Sequence, residues 1–120
     1  MTRGEFEAAL REALDGLPKK FRGQLDNLEF VVQDEPSPEQ SKHLRGGTLL
    51  GLYDGIPLPR RQPGTGYNGV LPDKITLFQG PLESVSRDKK DLVGRIRQTL
   101  LHEIGHYFGI EDADLRALGY

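Results

Sequence analysis

The sequence predicts an α+β fold in a single domain over residues 1–120, and three observations point there. Apolar residues recur at helical spacing at both ends of the chain. Between those ends, short runs alternate at strand spacing and are broken by Gly and Pro. The length of 120 residues suits one domain. A chain of that size buries roughly two thirds of its unfolded surface, enough for a core without staples.

The first element is a helix. Thr2 and Glu5 have the spacing of a capping box, and Phe6, Leu10, Ala13, Leu14 and Leu17 form one apolar stripe. Gly16 weakens the helix and Pro18 stops it. Asp26-Asn27 marks a turn. Leu28, Phe30 and Val32 then alternate with Glu29, Val31 and Gln33, which is strand spacing closed by Pro36 and Pro38. Residues 37–47 are polar and read as loop or short helix. A second strand runs from Thr48 to Tyr53 and ends at Asp54-Gly55. Residues 54–73 hold eight Gly or Pro in twenty positions, an irregular stretch with room for a short strand at Gly66–Leu71. Lys74–Gln79 is a firmer strand. Gly80-Pro81 opens a short helical segment to about Arg87. The last helix spans Asp88 to Phe108, and its apolar positions cover more than one stripe, so it is expected to be buried on several sides. Gly109 terminates it. Glu111–Tyr120 finishes the chain as one or two further helical turns.

Composition narrows the function. Hydrophobic residues make up 36% and the mean hydropathy is −0.52, with no long apolar run to span a membrane. The N-terminus lacks the apolar core of a signal peptide, so a cytoplasmic location is expected. With no cysteine, disulfides, thiolate catalysis and cysteine zinc sites are excluded. Sixteen Lys and Arg balance eighteen Asp and Glu for a net charge of −2, which makes no electrostatic case for nucleic acid or an anionic membrane. Lys19-Lys20, Arg60-Arg61 and Lys89-Lys90 are isolated basic pairs of solvated faces.

One motif carries chemistry. Residues 102–106 read His-Glu-Ile-Gly-His and hold two of the chain's three histidines. Residues i and i+4 on a helix lie about 40° apart around the axis and about 6 Å along it. His102 and His106 can therefore present two nitrogens to one metal ion, and Glu103 stands beside the pair, placed to act on a water as general base. A tetrahedral catalytic site takes three protein ligands. If the helix continued, Asp112 would lie about 9 Å beyond His106 and point elsewhere. Gly109 can take a positive φ and turn the chain back, so that Asp112, Glu111 or Asp114 supplies the third ligand. Asp112 completes the pattern H-E-x-x-H-x-x-G-x-x-D. His43, in a polar stretch, reads as a solvated loop residue.

HEIGHYFGIED resembles the active-site helix and turn of zincin metallopeptidases whose third ligand is aspartate. The wider chain is similar to the small bacterial zincin-like metallopeptidase family, through LPKKF, LDNLEFVVQDEP, LLGLYDGIPLPRR and GVLPDKITLFQGPLE. The resemblance implies a minimal zincin fold, a small mixed sheet packed on the active-site helix. It implies one zinc ion on His102, His106 and Asp112, with Glu103 as general base. The chain departs from the large metzincins in having Asp where they have a third His. Met1 is also the only methionine, so no methionine turn lies under the metal. Tyr120 is the first candidate for that floor, with Leu118 and Tyr107 behind it.

The expected function is that of a zinc metalloprotease, a hydrolase of peptide bonds. Tyr67 and Tyr107 are candidate donors to the oxyanion. An extended peptide or protein substrate would add to a sheet edge, at Thr48–Tyr53 or Gly66–Leu71. The mass of 13.4 kDa leaves no second domain to wall the cleft, which is then shallow in a monomer or completed in a homodimer. Two other classes compete: a zincin-fold binding or regulatory protein with little turnover, and a two-His-one-carboxylate iron enzyme.

Overall fold

The computed structural model describes residues 1–22, 28–42, 48–55, 73–110, 114 and 117. Helix α1, Arg3–Asp15, opens on the capping box: the Thr2 hydroxyl accepts from the Glu5 N–H and the Glu5 carboxylate from the Thr2 N–H. Its stripe of Phe6, Ala9, Leu10 and Ala13 is buried. Gly16 caps it. A short helix that the sequence reading did not include, α2 at Lys19–Arg22, follows Pro18. Phe21 ties it down by stacking on Phe108, ring centroids 5.7 Å apart.

Strand β1 is Leu28–Gln33, as the alternation predicts. The polar stretch after it contains α3, Pro38–Ser41, capped reciprocally by Ser37 and Gln40. Strand β2 is Gly51–Asp54, shorter at its start than the Thr48–Tyr53 expectation. Strand β3 is Asp73–Phe78, one residue earlier than expected. Helix α4 then begins directly at Gln79 and ends at Ser84, before the expected Arg87. Helix α5 runs Lys89–Tyr107, with the Asp88 carboxylate capping the Asp91 N–H.

The sheet is mixed and, among the described residues, three-stranded, ordered β1-β3-β2. β1 pairs parallel with β3, with Phe30 opposite Ile75 and Val32 opposite Leu77. β2 pairs antiparallel with β3, with Gly51 opposite Leu77 and Tyr53 opposite Ile75. Paired residues share a face, so Phe30, Val32, Ile75, Leu77, Gly51 and Tyr53 all look the same way. That face meets α1 and α5, and the core forms between them from Phe6, Leu10, Ile75, Leu77, Ile96 and Leu100. Burying Ile96, Leu100 and Ile104 completely, each worth about 1.5–3 kcal/mol, holds α5 against the sheet. The fold is thus α+β, a small mixed sheet on its long C-terminal helix. Among the described strands, β2 is the edge that meets the histidine-bearing part of that helix.

Candidate metal centre

Helix α5 presents His102 and His106 on one face, one turn apart. Their rings meet edge to face, with centroids 4.8 Å apart and planes at 83°. The ligating atoms of His102, Glu103 and His106 all lie within 4.8 Å of one another. Both imidazoles are half-buried, while Glu103 is only 9% exposed. Imidazole nitrogens with carboxylate oxygens form a donor set that zinc accepts. These side chains therefore fit a single divalent ion, with His102 and His106 as its natural holders.

A carboxylate this buried needs a partner. Glu103 Oε1 accepts from the Tyr53 backbone N–H at 3.0 Å. Sheet register explains why that N–H is on offer. The Phe78 N–H donates to the Leu50 carbonyl at 3.0 Å, which fixes the phase of the antiparallel ladder. Leu50 and Leu52 then bond toward β3, whereas Gly51 and Tyr53 turn their N–H and C=O groups outward, away from β3. Tyr53 aims its outward N–H at α5.

Two further features hold β2 there. A Cβ at Gly51 would stand 2.6 Å from Thr99 Cγ2 and 3.6 Å from Glu103 Cγ, so only glycine lets the strand come so near the helix. The Tyr53 hydroxyl donates to Asp73 Oδ2 at 2.6 Å, and Asp73 is 1% exposed at the start of β3. The Tyr53 ring also packs edge-on against Tyr107, centroids 5.9 Å apart. Tyr107 is buried within the helix that carries both histidines. Beside the motif, Thr48, Leu49, Leu50 and Gly51 face Gln98, Thr99, His102 and Glu103 across an open groove of about 280 Å³.

At the end of α5 the chain turns as Gly109 predicts. Gly109 has φ 80°, its N–H donates to the His106 carbonyl, and the Ile110 N–H donates to the Gly105 carbonyl, both at 2.9 Å. This is the Schellman pattern of a helix stop. Asp114 is described and exposed. Asp112, Glu111, Leu118 and Tyr120 lie outside the described residues, as do His43, Tyr67 and the Gly66–Leu71 segment. Sequence reasoning missed Tyr53, Asp73 and Gly51. Tyr53 and Glu103 are fifty positions apart, and no local pattern couples them.

Residues 25–120 match the family described as zincin-like metallopeptidase. The chain is also similar to the solved structure of a conserved hypothetical protein from Thermo thermophilus. Identity is 24% and the TM-score 0.56, with 98% of this chain and 97% of that chain covered. That likeness is one of fold. No curated protein matches the chain.

Proposed function

The chain belongs to the zincin-like metallopeptidase family, and from that premise we propose that it hydrolyses peptide bonds with one zinc ion. The observation that carries this reading is the convergence of His102, His106 and Glu103 on one face of α5, against the sheet edge. His102 and His106 would hold the ion. Asp112 is our choice for the third ligand, because it follows three residues after Gly109, where α5 stops in a turn, and completes the H-E-x-x-H-x-x-G-x-x-D spacing. Bound there, zinc supplies Lewis acidity that lowers the pKa of a water and polarises a carbonyl.

The protein's own groups do the rest. Glu103 accepts the proton of the attacking water at its carboxylate and returns it to the leaving amine. The Tyr53 amide, bonded to Oε1, sets the direction of that carboxylate. The outward N–H and C=O of Gly51 lie on the side of β2 away from β3, where an extended peptide can pair by main-chain bonds. Such pairing tolerates many sequences, and the Leu49–Leu50 side of the groove favours an apolar side chain. The substrate is therefore an extended peptide or an unfolded protein segment.

Metal content of protein purified without added metal, paired with a broad peptide screen of wild type and Glu103→Gln, tests the reading. The expected outcome is near one zinc per chain and peptide hydrolysis. Glu103→Gln should lower turnover about 10²–10⁴-fold with zinc retained, since a general base contributes on that scale. Iron in place of zinc, or zinc with no turnover on any peptide, would overturn it in favour of an iron enzyme or a binding protein.

A further inference from the structure

We infer that Tyr53 is a positioning residue for Glu103, and that Asp73 is its anchor. The inference rests on Glu103 being the general base proposed above. Glu103 Oε1 takes the Tyr53 backbone N–H at 3.0 Å. That N–H points away from β3, so no ladder bond uses it and it is open to Glu103, while Leu52 and Asp54 on either side pair with Thr76 and Lys74. The side chain of the same residue adds two restraints to that ladder. Its hydroxyl reaches Asp73 Oδ2 at 2.6 Å, on the central strand, across the diagonal from Tyr53 to the residue two before its partner Ile75. Its ring rests on Tyr107, four residues after Glu103 on α5.

One residue thus touches three parts of the site. The phenol fixes β2 to the middle of the sheet, the ring fixes it to the helix, and the amide hands that position to the general base. Asp73 is buried at 1% exposure, so its carboxylate is held in place. The neighbouring chain makes room for it: a Cβ at Gly55 would stand 2.3 Å from Asp73 Cγ. A carboxylate tethered through one oxygen has one rotational freedom fewer, and the direction of its other oxygen is set before a substrate arrives. Catalysis is sensitive to such placement, and a 1 Å error can cost about 10²-fold.

The test uses the full chain in two states. In the metal-free protein, amide hydrogen exchange at position 53 is measured by NMR for wild type, Tyr53→Phe, Asp73→Ala and Asp73→Asn. Tyr53→Phe keeps the ring and removes only the hydroxyl, and dispersed spectra show which variants fold. Exchange should quicken at least about tenfold in Tyr53→Phe and Asp73→Ala, and Asp73→Asn, which keeps an acceptor, should recover most of that loss. In the zinc-loaded protein, Tyr53→Phe should lower kcat about 10–100-fold with KM and zinc affinity held, the scale on which supporting groups act. Wild-type exchange in Tyr53→Phe overturns the inference, and so does an unchanged kcat in Tyr53→Phe when the wild type hydrolyses peptides. Quickened exchange in a chain whose wild type hydrolyses nothing keeps the tether and overturns the peptidase reading instead.

Discussion

Gly51 shows how much one missing atom decides. A methyl there meets Thr99 Cγ2 at 2.6 Å and the Thr76 carbonyl at 3.2 Å. Neither neighbour yields easily, because Thr99 is buried with its hydroxyl on the Arg95 carbonyl, and the Thr76 oxygen is main chain. Gly51→Ala is therefore expected to cost about 1–3 kcal/mol, the usual range for overpacking. It should also push β2 off α5 and lengthen the Tyr53–Glu103 bond, so peptide hydrolysis falls with stability. Adding Thr99→Ser removes the methyl in the way and should restore much of both. Urea denaturation of the single and double variants checks this, and equal destabilisation of the two would refute the steric account.

Helix α5 carries the site, and its own sequence is not optimal for a helix. Gly94 lies in its interior, exposed, with nothing within 4 Å of an added Cβ. Glycine there costs roughly 0.5–1 kcal/mol relative to alanine. Gly94→Ala should stabilise the protein by that amount, visible as a rise of a few degrees in Tm, with no change in zinc affinity. At the N-terminus of α5, the Asp91 carboxylate accepts from the Arg87 N–H at 2.9 Å and from Arg95 Nε at 3.1 Å. The Arg87 bond first, and Arg95 second, hold its pKa below the ordinary 3.8. A carboxylate depressed in the folded state stabilises above its unfolded pKa and loses that contribution as pH falls through the folded value. The Tm gap between wild type and Asp91→Asn should be widest near neutrality and close as pH drops below about 4. A gap that stays constant into strong acid would show that Asp91 acts by shape and not by charge.

Among the described residues, the main apolar cluster lies on the face of the sheet that meets α1 and α5. The candidate metal centre lies beside β2, at the edge of the described sheet, while Ile96, Leu100 and Ile104 of the same helix are fully buried in the core. Both histidines stay half-buried, their ligating atoms gathered with that of Glu103. Zinc that binds only the folded chain stabilises it by mass action, about 2.7 kcal/mol at a hundredfold excess over Kd. A rise in Tm on the order of 10 °C is expected for a domain of this size. His102→Ala should abolish the rise without unfolding the metal-free protein, since its side chain is only half-buried. Calorimetry with and without zinc measures both. A His102→Ala variant that still gains stability from zinc would place the ion elsewhere.

Much of this was legible in the chain itself, wherever the signal was local. The helical repeat of Phe6, Leu10 and Ala13, the Thr2–Glu5 box, the alternation of Leu28 to Val32 and the stop at Gly109 depend on neighbours within a few positions. So does the His102–His106 pair, because helix geometry alone puts residues four apart on one face. The mixed sheet was expected only through resemblance, and the short helix α2 escaped because Phe21 finds its partner at Phe108, far along the chain. What tertiary structure alone decided is the contact between the edge strand and Glu103. The phase of the β2–β3 ladder chose which amides face outward, the absent side chain of Gly51 chose how near they come, and Asp73 chose where Tyr53 stands. Each of those choices joins residues twenty to fifty positions apart. No periodicity in a sequence encodes a distance of that kind; it exists only once the core has packed α5 against the sheet.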